Sequence, residues 1–337
     1  MGETAYCKMK TDQSISIGDE GEKPDASLGS PMASMILFFY NQERYVKEAV
    51  LGALSQTYFP LEIILSDDGS TDETYMQMQE AVKGYEGPHK IVINRNSPNL
   101  GLVDHVNKMV DMAEGEIIFL SGGDDISLPS RVADAMEVLS RDEQCMCVSY
   151  GTIKFQGEQV PNIDELNLVE AVRATHSRTD YLTNCSFHLN GAARAVRKKV
   201  FDYFGPISKQ CPTEDSVLLL RSLLMGNAIS STQPQVLYRI HDENLFASDK
   251  KYQIDYRRIF EQYVVDIELA AERDVIPESD KEALTHALRM RTERGEIKNG
   301  VYHAKNRFAY VIMQVLRSSA YGWGEKLRML RRAMSKR

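Results

Sequence analysis

The chain has 337 residues, of which 43% are hydrophobic and 26% charged. This balance is typical of a globular protein and excludes a fibrous or wholly disordered one, and no apolar run approaches the roughly 18 residues of a membrane-spanning helix. Because phosphate repels an acidic surface, the formal net charge of −8 predicts no nucleic-acid partner.

Residues 1–32 are rich in Gly, Ser, Asp, Glu and Lys, a composition that predicts a flexible N-terminal tail. The unbroken apolar run at 35–40 has the length of a strand and predicts one that is covered on both faces. Apolar residues then recur at helical spacing over 45–54 until Pro60 stops the helix, and residues 62–66 resume as a strand. These segments predict one β-α-β unit.

The alternation continues along the chain. Ser70 and Glu73 have the spacing of a capping box, which predicts a helix that opens there and runs to about residue 83. The pattern then predicts strand 90–94, helix 102–113 and strand 116–120. Strands that alternate with helices predict an α/β fold, with a mostly parallel central sheet flanked by helices and with ligands bound beyond the carboxyl ends of the strands.

The regularity weakens after a predicted strand at 145–150. Asn190-Gly191-Ala192 predicts a loop of close backbone approach, and residues 197–199 predict a solvated basic surface. The remaining predicted elements are helix 213–225, strand 235–240 and further helices from residue 250 onward with a break at Pro277.

Adjacent carboxylates follow two of the predicted strands. Asp67-Asp68-Gly69 comes directly after the strand at 62–66, where carboxylates can accept hydrogen bonds from a nucleotide base and ribose; an Asp/Gly turn is the alternative. Gly122-Gly123-Asp124-Asp125 follows the strand at 116–120. Paired carboxylates suit Mg²⁺ or Mn²⁺ holding a diphosphate, and an exposed acidic turn is the alternative.

These loops and their neighbours resemble, in order, the motifs of glycosyltransferase family 2, whose members have the GT-A nucleotide-diphospho-sugar transferase fold. The resemblance covers about residues 33–245. It rests on Tyr40-Asn-Gln-Glu43, Val50-x5-Gln56-Thr57, the segment 62–72, Asn99-Leu-Gly101, Asn107, Gly115, Asp124-Asp125, Glu214-Asp215 and Tyr238-Arg-Ile-His241.

The resemblance implies a nucleotide-sugar donor held by the loops after the strands. Tyr40 would stack on the base, Asp68 would hold the base, and Glu43 would lie near the ribose. Asp124 would contact the ribose or the sugar of the donor. The complete implied donor-binding set is Tyr40, Asn41, Glu43, Asp68, Asn99 and Asp124.

The same resemblance implies a metal-assisted reaction. Asp125 and His241 would bind the cofactor, Mn²⁺ or Mg²⁺. Many members carry a further aspartate at the position of Gly122, whereas others lack it and keep the final pair. From the residues alone, a histidine at this place packs at a strand end more often than it binds a metal.

Glu214-Asp215 matches the catalytic Glu-Asp pair of the family. Inverting transfer needs a carboxylate that removes the proton of the acceptor hydroxyl, and Asp215 has that role in the resemblance. Taken alone, residues 213–216 are better explained as a cap on the helix that follows, and only their place after the acidic loop favours the catalytic role.

The implied function is transfer of a sugar from a UDP-sugar to a glycan or lipid-linked saccharide acceptor in surface-polysaccharide biosynthesis, such as that of O-antigen or capsule. Residues 33–248 would form the catalytic domain, with a donor-nucleotide half at 33–150 and an acceptor half at 151–248. A helical basic extension would follow at 249–337. Two alternatives are a nucleotidyltransferase, although no Gly-rich phosphate loop follows the first strand, and a non-catalytic sugar-nucleotide-binding module.

Positive charge is concentrated at the C-terminus. In residues 301–337, nine Lys or Arg stand against Glu325 alone, and this +8 leaves −16 on the rest of the chain. Apolar side chains, among them Trp323, are interleaved with the cations. Such a segment either lies on an anionic membrane surface or packs as helices on the catalytic domain or on a second subunit, so a membrane partner and a homo-oligomer both stay open.

The cysteines indicate a reducing compartment. The five are an odd number without zinc-ligand spacing, and Cys145 and Cys147 alternate with apolar residues as in a buried strand. The first ten residues lack the apolar core of a secretion signal. We therefore expect a cytoplasmic protein, peripheral on the inner face of the cell membrane if the basic segment binds lipid.

Overall fold

The computed structural model describes residues 30–157, 159–162, 170–183, 189–242, 244 and 252–334, so most of the predicted N-terminal tail lies outside the described residues. The strands in these ranges are β1 (Ala33–Phe39), β2 (Leu61–Asp67), β3 (Lys90–Arg95), β4 (Ile117–Gly122), β5 (Ile126–Ser127), β6 (Cys145–Gln156), β7 (Arg173–His176), β8 (Arg194–Arg197) and β9 (Asn227–Ile240).

Helices surround these strands. They are α1 (Val46–Leu54), α2 (Thr74–Val82), α3 (Leu102–Met112), α4 (Arg131–Arg141), α5 (Arg178–Thr183), α6 (Lys198–Phe204), α7 (Asp215–Met225), α8 (Tyr256–Glu272), α9 (Glu278–His303), α10 (Arg307–Tyr310) and α11 (Trp323–Met334), with a π-helical segment at Val311–Val315. In the described part of the chain, none is long and apolar enough to cross a membrane.

The strands form one sheet in the order β3-β2-β1-β4-β8-β6-β9-β5, and β7 pairs with β9. Strands β1 to β4 are parallel to one another, as predicted, and β6 is parallel to β9. Strands β5, β7 and β8 run antiparallel to their neighbours, so the second half of the sheet is mixed. Each of these three has four residues or fewer, too short for sequence periodicity to reveal.

Strand β1 shows why the first apolar run is unbroken. Its side chains point alternately to the two faces of the sheet, and each face carries its own core. Ile36 lies in one core, whereas Met35 and Leu37 lie in the other. Both faces are covered, so every position of the strand except Phe38 is buried.

The C-terminal helices extend the first of these cores. Ile267 of α8 and Leu288 of α9 are fully buried against helix α7 and its neighbours. A buried ion pair adds to this packing, because the Arg221 guanidinium of α7 donates to both oxygens of Asp266 at 2.8 and 3.0 Å. Helix α8 is thereby tied to the helix that starts at the predicted catalytic pair.

Candidate active site

The loops after β1, β2 and β4 meet at the carboxyl edge of the parallel strands, as predicted. Asp68 is buried there, and its carboxylate accepts hydrogen bonds from Asn96 Nδ2 (2.8 Å) and from the backbone N–H groups of Leu100 and Gly101 (3.0 and 2.9 Å). Asn99 Nδ2 donates to the Asp68 carbonyl at 2.7 Å. The structure thus brings Asp68 and Asn99 together and uses Asp68 to shape the loop at 96–101.

The first loop faces the second. The ring of Tyr40 is half exposed at the end of β1. The Asn41 backbone N–H donates to Ser70 Oγ at 2.9 Å, and Glu43 Oε2 accepts from the Glu73 backbone N–H at 2.9 Å. These contacts hold three predicted donor-binding residues, Tyr40, Asn41 and Glu43, beside the turn that carries Asp68.

The predicted capping box is wrong. Helix α2 begins at Thr74, and Glu73 occupies the N-cap without a side-chain cap hydrogen bond. The Ser70 hydroxyl donates instead to Asp67 and accepts from Asn41, so it joins the two loops and is not available to cap a helix.

Each aspartate of the acidic loop has one oxygen bound within the protein. Asp124 Oδ2 lies 2.8 Å from His241 Nε2, and Asp125 Oδ1 accepts from the Arg239 backbone N–H at 3.0 Å. The other two oxygens face one space: a β-carbon on Gly122 would lie 2.6 Å from Asp124 Oδ1 and 3.6 Å from Asp125 Oδ2. Glycine at 122 therefore leaves room beside both carboxylates.

The negative charges of Asp124 and Asp125 are only partly compensated by the nearby arginines. Burial, and next the charge of Asp124, raise the pKa of Asp125 well above its usual range, while nearby arginines oppose the shift. One of them is Arg131, whose side chain is buried beneath the loop; burial lowers its pKa to about 10, so it stays charged at neutral pH. A divalent cation would stabilise the ionised form of Asp125.

The residues fit a cation whose remaining ligands come from the substrate. Among the residues that the structure describes, no three His, Cys, Asp or Glu side chains converge as an all-protein metal site. Mg²⁺ is usually held by one or two carboxylates together with substrate phosphates, however, and the carboxylate of Asp125 meets that requirement. The adjacent imidazole of His241 is a ligand type that Mn²⁺ also accepts.

A cavity of about 450 Å³ opens between the first loop and the end of β9. The rings of Tyr45 and His241, 4.9 Å apart, form part of its wall. Its lining consists of Asn41, Gln42, Glu43, Arg44, Tyr45, Asp72, His241 and Asp242. Predicted donor and metal residues therefore border the same space.

Asp215 is the first residue of α7, and its side chain lies against the backbone of Gly191. A β-carbon at position 191 would approach the Asp215 carboxyl closer than 3.0 Å, so the predicted loop of close approach is confirmed. Arg194 holds this arrangement, because its guanidinium donates to the Asp215 carbonyl and, at 2.7 Å, to the Leu189 carbonyl.

Glu214 precedes Asp215, and its carboxyl oxygen Oε2 is buried although the residue as a whole is partly exposed. Its Oε2 has no hydrogen-bond partner among the described residues. Burial, followed by the charge of Asp215, raises the pKa of Glu214 to about 8. The side chain of Glu214 is therefore mainly protonated at neutral pH.

Tyr238 connects the two acidic groups. Burial, and then the charges of Asp125, Asp124 and Asp215, raise the pKa of the Tyr238 hydroxyl to about 12. All three carboxylates thus act on one side chain, although about ninety residues separate Asp125 from Asp215 in sequence. The predicted metal residue Asp125 and the predicted base Asp215 therefore lie close enough for both charges to act on the same hydroxyl.

Buried arginines are the residues that the sequence missed. Arg131 donates to Ser121 Oγ at 2.6 Å and to the Leu120 carbonyl at 3.0 Å, and so supports the strand that leads into the acidic loop. Arg194 supports Asp215 in the same way. Composition and periodicity assign arginine to solvent, so nothing in the pattern marks these two as internal.

Comparison with known proteins agrees with this geometry. The family model described as "Glycosyl transferase family 2" matches residues 34–204. EpsE of Bacillus subtilis, named as a glycosyltransferase, is 32% identical over 125 residues, which are 37% of this chain and 44% of EpsE. A chondroitin synthase of Pasteurella multocida is 27% identical over 181 residues, 51% of this chain and 18% of the synthase. The chain thus spans less than half the length of these curated relatives.

Solved structures with the same fold include S. aureus TarS 1-349 in complex with UDP-GlcNAc, with a TM-score of 0.62, 16% identity and coverage of 89% of this chain and 81% of that one. Another is the mannosyltransferase PcManGT of Pyrobaculum calidifontis in complex with GDP-Man and Mn²⁺, with a TM-score of 0.54, 16% identity and coverage of 91% and 87%. The predicted GT-A fold is confirmed.

Proposed function

The chain belongs to glycosyltransferase family 2, and we propose that it is an inverting transferase that moves a sugar from a UDP-sugar to a glycan or lipid-linked saccharide. The observation that carries this proposal is the acidic loop after β4, where Asp124 contacts His241 and Asp125 accepts from the Arg239 backbone, together with the charge that Asp215 exerts on Tyr238 in common with both aspartates. Direct displacement at a sugar carbon requires a bound diphosphate leaving group and a proton acceptor within one site. The two acidic groups supply these functions.

The donor nucleotide would lie on the loops after β1 and β2. The half-exposed ring of Tyr40 offers a stacking surface to a base. The Asp68 carboxylate, fixed by the loop at 96–101, would accept an N–H of the base. Glu43 and Asn41 border the cavity of about 450 Å³ and would face the ribose, and Asn99 would hold the turn in place through Asp68.

We place a divalent cation, Mn²⁺ or Mg²⁺, on Asp125 and His241. Asp124 touches His241 and would contact the ribose or sugar of the donor. When bound, the cation would neutralise the charge that develops on the leaving diphosphate. The role of the protein is to hold the carboxylates: Arg239 binds Asp125 through its backbone N–H, and its side chain donates to the Asp124 carbonyl at 3.2 Å.

Asp215 would act as the general base. The acceptor hydroxyl forms a bond to the anomeric carbon as the bond to the diphosphate breaks, and its proton passes to the Asp215 carboxylate. Glu214 stays protonated beside it, because burial raises its pKa to about 8. Gly191 and Arg194 set the position of the base.

The acceptor belongs, we propose, to surface-polysaccharide assembly of the O-antigen or capsule type. The likeness to a chondroitin synthase supports a polysaccharide product. A lipid-linked saccharide is the favoured acceptor, because an enzyme that acts on one must work at a membrane surface, and the C-terminus carries a basic and apolar segment. The enzyme would then be cytoplasmic and peripheral on the membrane.

The test is release of nucleoside diphosphate from a panel of UDP-, GDP- and dTDP-sugars with Mn²⁺. We expect release from a UDP-sugar and loss of that release in EDTA. The substitution Asp125→Ala should weaken the binding of UDP far more than it weakens the binding of uridine. Asp202→Ala, which removes an exposed acid on α6, is the control. A panel without turnover, or full turnover in EDTA, would contradict the proposal or its metal.

A further inference from the structure

The C-terminal segment packs on its own chain with part of its apolar surface. Val311 and Val315 of the π-helical segment are buried with Tyr321 against Ile297 near the end of α9. The Tyr321 hydroxyl donates to the Arg294 carbonyl at 3.1 Å. This cluster fixes the segment to α9.

A second set of apolar residues points outward. The side chain of Trp323 is 73% exposed, and Met313 and Leu327 are each 54% exposed. Trp323 and Leu327 are four residues apart on α11 and therefore share one side of the helix. Ile312 is also exposed, next to Met313. Trp323 and Leu327, together with the exposed cations Arg317, Arg328 and Arg331, are called the C-terminal face.

The charge of this face is positive. Arg328 and Arg331 lie on α11 among its exposed apolar side chains, and Arg317 precedes the helix. The one acidic side chain of the segment, Glu325, lies 3.5 Å from Arg294 of α9 and so is partly neutralised within the protein. The rest of the chain is strongly acidic, so the C-terminal face differs from it in both charge and hydrophobicity.

We infer that the C-terminal face binds an anionic phospholipid surface, with Trp323 at the level of the headgroups. Tryptophan prefers the boundary between water and hydrocarbon, and basic residues next to exposed apolar ones are typical of helices that lie on anionic lipid. A symmetric dimer through this face is disfavoured, because it would bring Arg328 and Arg331 of two copies together.

The catalytic benefit of this lipid binding rests on the proposed function, in which the acceptor is a lipid-linked saccharide. A lipid-linked saccharide diffuses in the plane of a membrane, so an enzyme held at that surface meets its acceptor in two dimensions. The donor is water-soluble and reaches the site from solution. The two properties are therefore separable: donor turnover needs the acidic loop, whereas lipid binding needs only the C-terminal face.

Trp323 supplies the test, because it is the only tryptophan of the chain and its fluorescence reports on this face alone. The full-length protein is titrated with vesicles of phosphatidylcholine, with and without phosphatidylglycerol. We expect a blue shift of the emission and quenching by brominated lipid with the anionic vesicles, and at least tenfold weaker binding at high salt, where the charges are screened. Emission unchanged by anionic vesicles would overturn the inference.

Point variants keep the fold intact, whereas truncation near residue 300 would remove Val311, Val315 and Tyr321 and expose Ile297, against which they pack. Leu327→Gln and the pair Arg328→Gln with Arg331→Gln should each weaken co-sedimentation at least tenfold. Val265→Gln on α8, an equally exposed apolar side chain at 58%, should leave it unchanged. An equal loss in the control would overturn the inference.

Two further outcomes are informative. A blue shift that grows with protein concentration in the absence of lipid would assign the C-terminal face to a second copy of the chain and overturn the inference. Release of UDP from a soluble donor is measured on the same samples. Intact lipid binding without any donor turnover would contradict the proposed function and support the lipid site.

Discussion

The substitution Gly191→Ala tests whether the proposed base, Asp215, must keep its orientation, because it displaces the carboxylate without removing it. The added methyl group would fall closer than 3.0 Å to the Asp215 carboxyl, whereas ordinary van der Waals contact begins near 3.4 Å. Arg194 holds the backbone of Asp215, and helix α7 starts at that residue, so the main chain cannot easily yield. The carboxylate must therefore turn away from the position it has in the wild type.

The size of the effect follows from this displacement. Moving a reacting group by about 1 Å can lower a rate about 10²-fold, and complete loss of a general base lowers it by about 10² to 10⁴. We expect kcat for UDP release from the active donor to fall about 10²-fold. The dissociation constant for UDP, measured by calorimetry, should stay within about twofold, since the added methyl group meets Asp215 and none of the residues proposed to hold the nucleotide.

The matched control is Gly324→Ala. This glycine lies in helix α11, and beyond its chain neighbours and the adjacent helix backbone no heavy atom lies within 4 Å of an added β-carbon, so the same substitution should leave kcat unchanged. A Gly191→Ala enzyme with wild-type kcat would refute the reasoning, because it would mean that Asp215 need not lie where the structure places it. Equal thermal melting of the two variants would exclude unfolding as the cause of a loss.

The remaining predictions address the base, its neighbour and the core. Asp215→Asn should keep the affinity for UDP and lower kcat about 10² to 10⁴-fold; wild-type turnover would rule out this base. Glu214 has a pKa raised to about 8 in the folded state, so its burial should destabilise the protein increasingly as pH rises from about 4.5 to 8, and Glu214→Gln should flatten that dependence in melting experiments. Arg221→Met leaves the buried Asp266 carboxylate unpaired and should lower the free energy of unfolding by about 3–5 kcal/mol in urea titrations; a loss below about 1 kcal/mol would contradict it.

The first half of the fold is well predicted by its sequence, because strands covered on both faces need unbroken apolar runs. The run at 35–40 and strand β1 (Ala33–Phe39) differ by two residues at one end and one at the other. The same logic located β2 and β4, and with them the two acidic loops. Their residues meet because carboxyl ends of parallel strands share one edge, which is a property of the topology and needs no side-chain detail.

Side-chain contacts were less predictable. The residues at 197–199 were expected on a solvated basic surface, yet Arg197 donates to the carbonyls of Cys145 (2.7 Å) and Leu139 (2.6 Å). Ser70 and Glu73 have capping-box spacing, but the Ser70 hydroxyl binds another loop. In both cases the side chain, the Arg197 guanidinium or the Ser70 hydroxyl, bonds to a partner that is distant in sequence. Local sequence patterns carry no information on such partners.

Strand β8 (Arg194–Arg197) explains how two halves of one chain form a single site. It pairs antiparallel with β4, with Phe119 opposite Ala195 and Ile117 opposite Arg197. The start of β8 therefore lies beside the end of β4, and the turn that contains Gly191 emerges at the edge where the acidic loop begins. Because Gly191 touches Asp215, this reversal in strand direction brings the proposed base to the edge of the sheet that carries the acidic loop. A parallel β8 would have placed the same turn at the opposite edge, so the antiparallel insertion that the sequence did not reveal is the feature on which the proposed chemistry depends.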